Sequence, residues 1–146
     1  MELNILRADP AGNITVFVLD PVEKAQRAAI AEKIMEIPAL KAEQVGYACA
    51  AEDDVDGHME MMGGEFCGNA TRAYGMYIAQ QKGGLSSVRL RVSGCDHAVT
   101  AQVDLKSGTA RAEMPCPRSV KRVTVNGHKG TLVDLTGIAH FVVEGV

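Results

Sequence analysis

Residues 69–81 constrain this chain more than any other stretch. Ala70, Ala73, Tyr74, Gly75, Met76, Tyr77, Ile78 and Ala79 make a helix here apolar almost all round, and Gly83-Gly84 supplies its stop. A helix of that kind is stable only when most of its surface is covered. The sequence beyond Gly84 offers the cover. Val88-Arg-Leu-Arg-Val92 alternates with period two, Ser93-Gly94 turns, and residues 97–105 return. Lys106-Ser107-Gly108 turns again before 109–114. Asn126-Gly127 then marks a hairpin between 120–125 and 130–135, and a last strand is predicted over 138–144. Many short strands and one wholly apolar helix predict an α+β fold, in which a curved, mostly antiparallel, barrel-like sheet wraps a central buried helix.

The first half fits the same plan. Residues 2–6 and 14–19 are β-rich and flank the turn Asp9-Pro10-Ala11-Gly12-Asn13. Asp20-Pro21-Val22-Glu23 carries a helix-start signature, with Asp20 as N-cap, Pro21 at the first helical position and Glu23 closing a capping box. Val22, Ala25, Ala29 and Met35, with Ile30 and Ile34, form its apolar stripe until Pro38. A strand is predicted over 44–51. At 146 residues, 1–146 is expected to form one domain.

Composition excludes several classes. A net charge of −3 gives no electrostatic footprint for nucleic acid. No apolar run approaches the roughly 20 residues that span a bilayer, so no membrane association is expected. The N-terminus lacks the basic start and apolar stretch of a secretory signal, so a cytoplasmic location is expected. Cys49, Cys67, Cys95 and Cys116 are widely spaced, with no C-x-x-C and no histidine at ligand spacing, so neither disulfides nor a zinc site is expected.

Chemistry concentrates in Met61-Met-Gly-Gly-Glu-Phe-Cys-Gly-Asn-Ala-Thr-Arg72. Cys67 sits at a Gly-flanked turn that opens the buried helix. Free N–H groups at a helix N-terminus bind anions, and their field favours thiolate over thiol. Gly68 lets the backbone approach a ligand, while Asn69 and Thr71 add polar groups. A lone cysteine is by default a small buried hydrophobe. The helix-opening setting is what lifts Cys67 above that default.

Cys67-Gly68-Asn69-Ala70-Thr71-Arg72 resembles the N-terminal catalytic motif of diaminopimelate epimerase and related pyridoxal-independent racemases. Other segments fall in register. Gly12-Asn13 with the following strand and Asp20 is similar to the family's opening segment, and Glu43-Gln44-Val45 resembles its Asp-Gln-Leu. Met114-Pro-Cys-Pro117 resembles a Met-Gly-x-Pro strand end, and Gly137-Ile-Ala-His140-Phe-Val-Val a Gly-Asn-Pro-His-x-Val motif. The resemblance implies one half of a two-domain fold that clamps an amino acid, with no cofactor. One thiolate removes the α-proton and the other domain's thiol reprotonates the opposite face. It implies Cys67 as one acid/base. Gly68 and Asn69 would bind the α-carboxylate by their N–H groups, Asn13 and Gln44 would contact substrate, and His140 would lie near the domain junction.

Two departures shift the expected substrate. The segment before Cys67 is short, so the residue that reads the distal end of diaminopimelate has no clear counterpart; His58, Glu60 and Met61 are the candidates. Ile138 replaces an Asn. Another amino acid is therefore expected, with histidine, as in the related racemases of metallophore biosynthesis, the named candidate. Cys95 and Cys116 lie in strand-like contexts that do not repeat the motif, so the second thiol is expected from a missing C-terminal domain or partner chain. The chain by itself is expected to be inactive, with exposed apolar surface that favours self-association into a homo-oligomer. The alternatives are a carboxylate-binding module without catalysis, a proline-racemase-like or phenazine-biosynthesis-type isomerase, from which Asn69 departs in the former case, and a redox-sensing thiol.

Overall fold

Val88, Leu90 and Val92 turn inward while Ser87 and Arg89 face solvent, so the period-two pattern does become a strand with one buried face. The computed structural model describes residues 2–145. In chain order the elements are β1 (Ile5–Ala8), β2 (Thr15–Val18), α1 (Lys24–Met35), β3 (Gln44–Cys49), β4 (Gly57–Met61) and α2 (Gly68–Gln81). There follow β5 (Ser87–Val92), β6 (Val99–Asp104), β7 (Thr109–Ala112), β8 (Ser119–Val125), β9 (His128–Leu135) and β10 (Ile138–Val142). Strands β1 to β7 form one sheet in sequence order, and β8 to β10 a separate meander. The fold is α+β, with the curled seven-stranded sheet packed around α2.

Two pairings, β2–β3 and β4–β5, are parallel, and the other pairings are antiparallel. Each parallel pair needs a crossover, and α1 and α2 supply them. Because β4 runs antiparallel to β3, two right-handed crossovers stepping the same way across the sheet fall on opposite faces. Helix α1 accordingly covers Val16, Val18, Val45 and Tyr47. Helix α2 covers Phe17, Met59, Met61, Val88, Leu90 and Ala101. Strand β2, covered on both faces, is buried at every position.

Gly75 brings α2 onto the sheet: a Cβ there would stand 2.7 Å from the Ala101 Cβ. The sheet does not close. Along the gap between β1 and β7, Ala73, Met76 and Tyr77 are only half-buried and line a cleft with Leu6 and Ala110. Tyr74 is buried, and its hydroxyl is pushed up to about 12 by burial and then by Tyr77. The β8–β9 turn has Asn126 at φ 48° and Gly127 at φ 81°, the paired positive values a tight hairpin requires.

Several sequence expectations change. The helix after Asp20 begins at Lys24, not Pro21, and its N-cap Glu23 makes no side-chain capping bond. Asp20 instead accepts from the backbone and side-chain nitrogens of Asn4, tying the start of β1 to the end of β2. The buried face of α1 is Ile30, Ala31 and Ile34, with Arg27 half-buried, whereas Ala25, Ala29 and Met35 face solvent. Strand β4 was not expected; it buries Met59 and Met61 and turns His58 and Glu60 toward α1. Cys95 and Cys116 lie in loops rather than in strands. No helix among the described residues is long and apolar enough to cross a membrane.

Candidate active site

The backbone at Cys67 is extended, at φ −129° and ψ 110°, and the helix begins at the next residue, so Cys67 is the N-cap of α2. Its carbonyl accepts from the Thr71 N–H at 2.9 Å and from Thr71 Oγ1 at 2.8 Å. Thr71 is fully buried, which fixes the cap from beneath. The Cys67 Sγ accepts from the Ala70 N–H at 3.4 Å and from Gln44 Nε2 at 3.2 Å. Gln44 opens β3 opposite Thr15 of β2 and gives its other amide hydrogen to Thr15 Oγ1 at 2.7 Å. Thr15 in turn donates to the Asn13 carbonyl at 3.2 Å. Two N–H donors therefore converge on the sulfur, an arrangement that stabilises negative charge there.

The N–H groups of Gly68 and Asn69 occupy the first two helical positions, where no preceding turn offers a carbonyl. They lie at the positive end of the α2 dipole, beside the thiol. Both residues line a cavity of about 500 Å³, together with Asn13, Gln44, Cys67 and His140. All six residues singled out from the sequence thus meet at one pocket, drawn from the β1–β2 turn, the start of β3, the head of α2 and β10. His140 is exposed rather than enclosed among apolar neighbours. Asn13 Oδ1 is buried without a hydrogen-bond partner among the described residues, an acceptor that a ligand N–H would satisfy. Asn69 Oδ1 accepts from Arg72 Nη2 at 2.8 Å, and its amide nitrogen is a donor without a partner among the described residues.

Thr15, Glu65 and Arg72 were missed by the sequence reading. Glu65 and Arg72 line the pocket. Both lie within the motif segment, two and three positions from residues already assigned to the site, but neither carried a spacing signal of its own. Thr15 acts only through the β2–β3 register, which no local pattern reveals. The three candidates for reading a distal substrate group are elsewhere. His58 and Glu60 face α1, on the far side of the sheet, and Met61 is in the core, so none lines the pocket.

The β3–β4 pairing sets Cys49 opposite His58, a cysteine–histidine neighbour that sequence spacing had not suggested. With Glu60, these two offer ligand atoms within 4.8 Å of one another. The group is already committed to cations of the protein. Arg27 donates to Glu60 and, at 3.5 Å, to Cys49 Sγ, and Lys24 Nζ lies 3.6 Å from Glu60. Burial pushes the Glu60 carboxyl up, but the Arg27 hydrogen bond and charge, with Lys24 and His58, hold it below the ordinary value. Burial and Glu60 push the Cys49 thiol up against the opposing pull of Arg27. These residues lock α1 to the sheet, with Arg27 also resting over the Tyr47 ring at 5.2 Å.

Residues 2–145 match the family model described as the histidine racemase CntK N-terminal domain. The chain belongs to that family. A histidine racemase from Fusobacterium nucleatum subsp. nucleatum is 32% identical over 149 residues, covering 96% of this chain and 54% of the relative. A histidine racemase from Staphylococcus aureus (strain Mu50) is 31% identical over 122 residues, covering 81% of this chain and 44% of the relative. The chain spans about half the length of the curated relatives it matches. Membership places it on a histidine-racemase-like branch of the diaminopimelate epimerase-like proteins.

Proposed function

We propose that the protein is a cofactor-independent amino-acid racemase, that histidine is its substrate, and that Cys67 is one of two acid/base thiols. The carrying observation is the Cys67 sulfur, which receives two N–H donors at the head of α2, next to two helix N–H groups with no partner among the described residues. The α-carboxylate sits on the Gly68 and Asn69 N–H groups, with the Asn69 amide beside it. The α-ammonium donates to Asn13 Oδ1. Both contacts acidify the α-proton, since positive dipoles at the carboxylate stabilise the carbanion-like transition state. As thiolate, Cys67 takes the proton from one face while a second thiol delivers one to the other; in the reverse direction Cys67 is the donor. Gln44 and the Ala70 N–H stabilise the sulfur whenever it carries charge. Neither redox change nor a carbonyl cofactor is needed to balance this exchange.

The second thiol belongs to the other half of the protein, set over the open side of the pocket. Met114 and Ile138 support that placement, because both line the pocket and expose apolar surface. Two-thiol chemistry requires reduced cysteines. The four here are unbonded, which supports a cytoplasmic setting.

The test is L-histidine with the protein at full length in D2O, following optical activity and deuterium at Cα. Racemisation with deuterium incorporation is expected, and Cys67→Ser is expected to slow it by at least about 100-fold. Turnover within a few-fold of wild type in Cys67→Ser would exclude the thiol, and an inert wild type would exclude histidine.

A further inference from the structure

We infer that Glu65 determines specificity, its carboxylate accepting a hydrogen bond from an N–H of the substrate's imidazole. This rests on the histidine reading above. An α-carbon carries four substituents, and the residues already placed use three. The proton goes to the thiols, the carboxylate to the Gly68 and Asn69 N–H groups, and the ammonium to Asn13 Oδ1. The side chain is left. Among the pocket-lining residues Glu65 is the only carboxylate, and among the described residues no donor meets it. Among the other polar groups, Gln44 spends both amide hydrogens on Thr15 and Cys67 and Asn69 Oδ1 is held by Arg72, while His140 lines the pocket from an exposed position. An imidazole presents an N–H donor on a flat apolar ring. Glu65 supplies the matching acceptor, with Leu135, Ile138 and Met114 as apolar wall.

The main chain at Glu65 is built for a fixed position. Ser93 Oγ donates to its carbonyl at 2.7 Å and accepts from the Met61 N–H at 2.8 Å. Gly94 and Gly137 press on it from two sides. A Cβ at Gly94 would stand 2.3 Å from the Phe66 nitrogen, and one at Gly137 would stand 3.1 Å from the Glu65 Cα. The next residue, Phe66, is buried as an anchor. Gly63 leaves room for the carboxylate, since a Cβ there would meet Glu65 Oε2 at 2.5 Å. A carboxylate carried on a main chain held this firmly, with no donor among the described residues, is poised for a ligand donor.

The experiment compares Glu65→Gln and Gly63→Ala with wild type at full length, reading kcat and KM for L-histidine and the inhibition constant of L-2-thienylalanine. That analogue keeps the ring shape and lacks the N–H. Glu65→Gln is expected to raise KM for histidine roughly 10- to 100-fold, the loss of a hydrogen bond to a charged group, with kcat within a few-fold. The thienylalanine constant should not weaken. Gly63→Ala, which displaces the carboxylate without removing it, should raise KM in the same direction, and circular dichroism checks that both variants fold. Parallel weakening of histidine and thienylalanine, or a fall in kcat at unchanged KM, would overturn the role of Glu65 while the racemase reading stands. A wild type that racemises another amino acid but not histidine would overturn the histidine reading and this inference together.

Discussion

Replacing Gly75 by alanine should destabilise the protein, and the sign of that effect is the informative part. In an exposed helix interior Gly→Ala stabilises by about 1 kcal/mol, through helix propensity alone. Here the new methyl would stand 2.7 Å from the Ala101 Cβ, with Val88 Cγ2 at 3.4 Å and Leu90 Cδ1 at 3.5 Å. Carbon atoms pack at roughly 3.5–4.0 Å, so α2 must retreat from β6 by about 1 Å. Overpacking of that kind costs about 1–3 kcal/mol, and a contact between two Cβ atoms, which no rotamer change can relieve, belongs at the upper end. The net expectation is a loss of about 1–2 kcal/mol, a fall in melting temperature of roughly 3–10 °C for a chain this size. Urea titration and calorimetry measure it. Combining Gly75→Ala with Ala101→Gly removes the facing methyl and should return at least about 1 kcal/mol as coupling. A Gly75→Ala protein as stable as wild type would refute the close helix–sheet approach on which the position of Cys67 depends.

Two further outcomes are expected. Gln44→Leu deletes one of the two donors to the Cys67 sulfur, so alkylation of Cys67 by iodoacetamide at pH 7 should slow about tenfold. Cys49, Cys95 and Cys116 serve as references in the same mass spectrum, and an unchanged Cys67 rate would remove Gln44 from the site. Glu60→Gln should destabilise the fold by on the order of 1 kcal/mol near neutral pH. The folded Glu60 carboxyl lies below its ordinary value, so its contribution is complete above the unfolded value of about 4.3 and is lost as pH falls through the folded one. Urea titrations from pH 7 to pH 3 should therefore show variant and wild type converging below about pH 4, and a gap that stays constant or widens would contradict the Arg27 pairing.

The buried helix and its strands were legible because their patterns are local. An all-round apolar segment must be covered, and the alternation in β5 reports a half-buried strand whatever its neighbours are. Expectations failed where a distant partner decides. The capping signature at Asp20 is a sound local motif, but Asn4, sixteen residues earlier, takes the carboxylate, and the helix begins three residues late. Strand β4 alternates correctly, with Met59 and Met61 inward and His58 and Glu60 outward. Glycine and glutamate are depleted in strands, and the acidic run before Gly57 reads as loop, so the pattern carried no weight without β3 and β5 on either side.

The candidate site divides the same way. Cys67, Gly68 and Asn69 are one continuous motif whose chemistry follows from a helix N-terminus, so the sequence alone exposes them. Asn13, Gln44 and His140 were reached only through resemblance, for a glutamine at the start of a strand is ordinarily a solvated polar residue. What makes Gln44 different is the parallel register of β2 with β3, which sets it opposite Thr15 and aims its amide at a sulfur twenty-three residues away. That register exists because α1 crosses over between the two strands, and α1 is held to β4 by Arg27 and Glu60. The ion pair on the outer face of the sheet and the thiol on its inner face are therefore ends of one structural chain. A variant at Glu60 that loosens α1 should, at temperatures where the fold still stands, also disturb the Gln44 contact to Cys67.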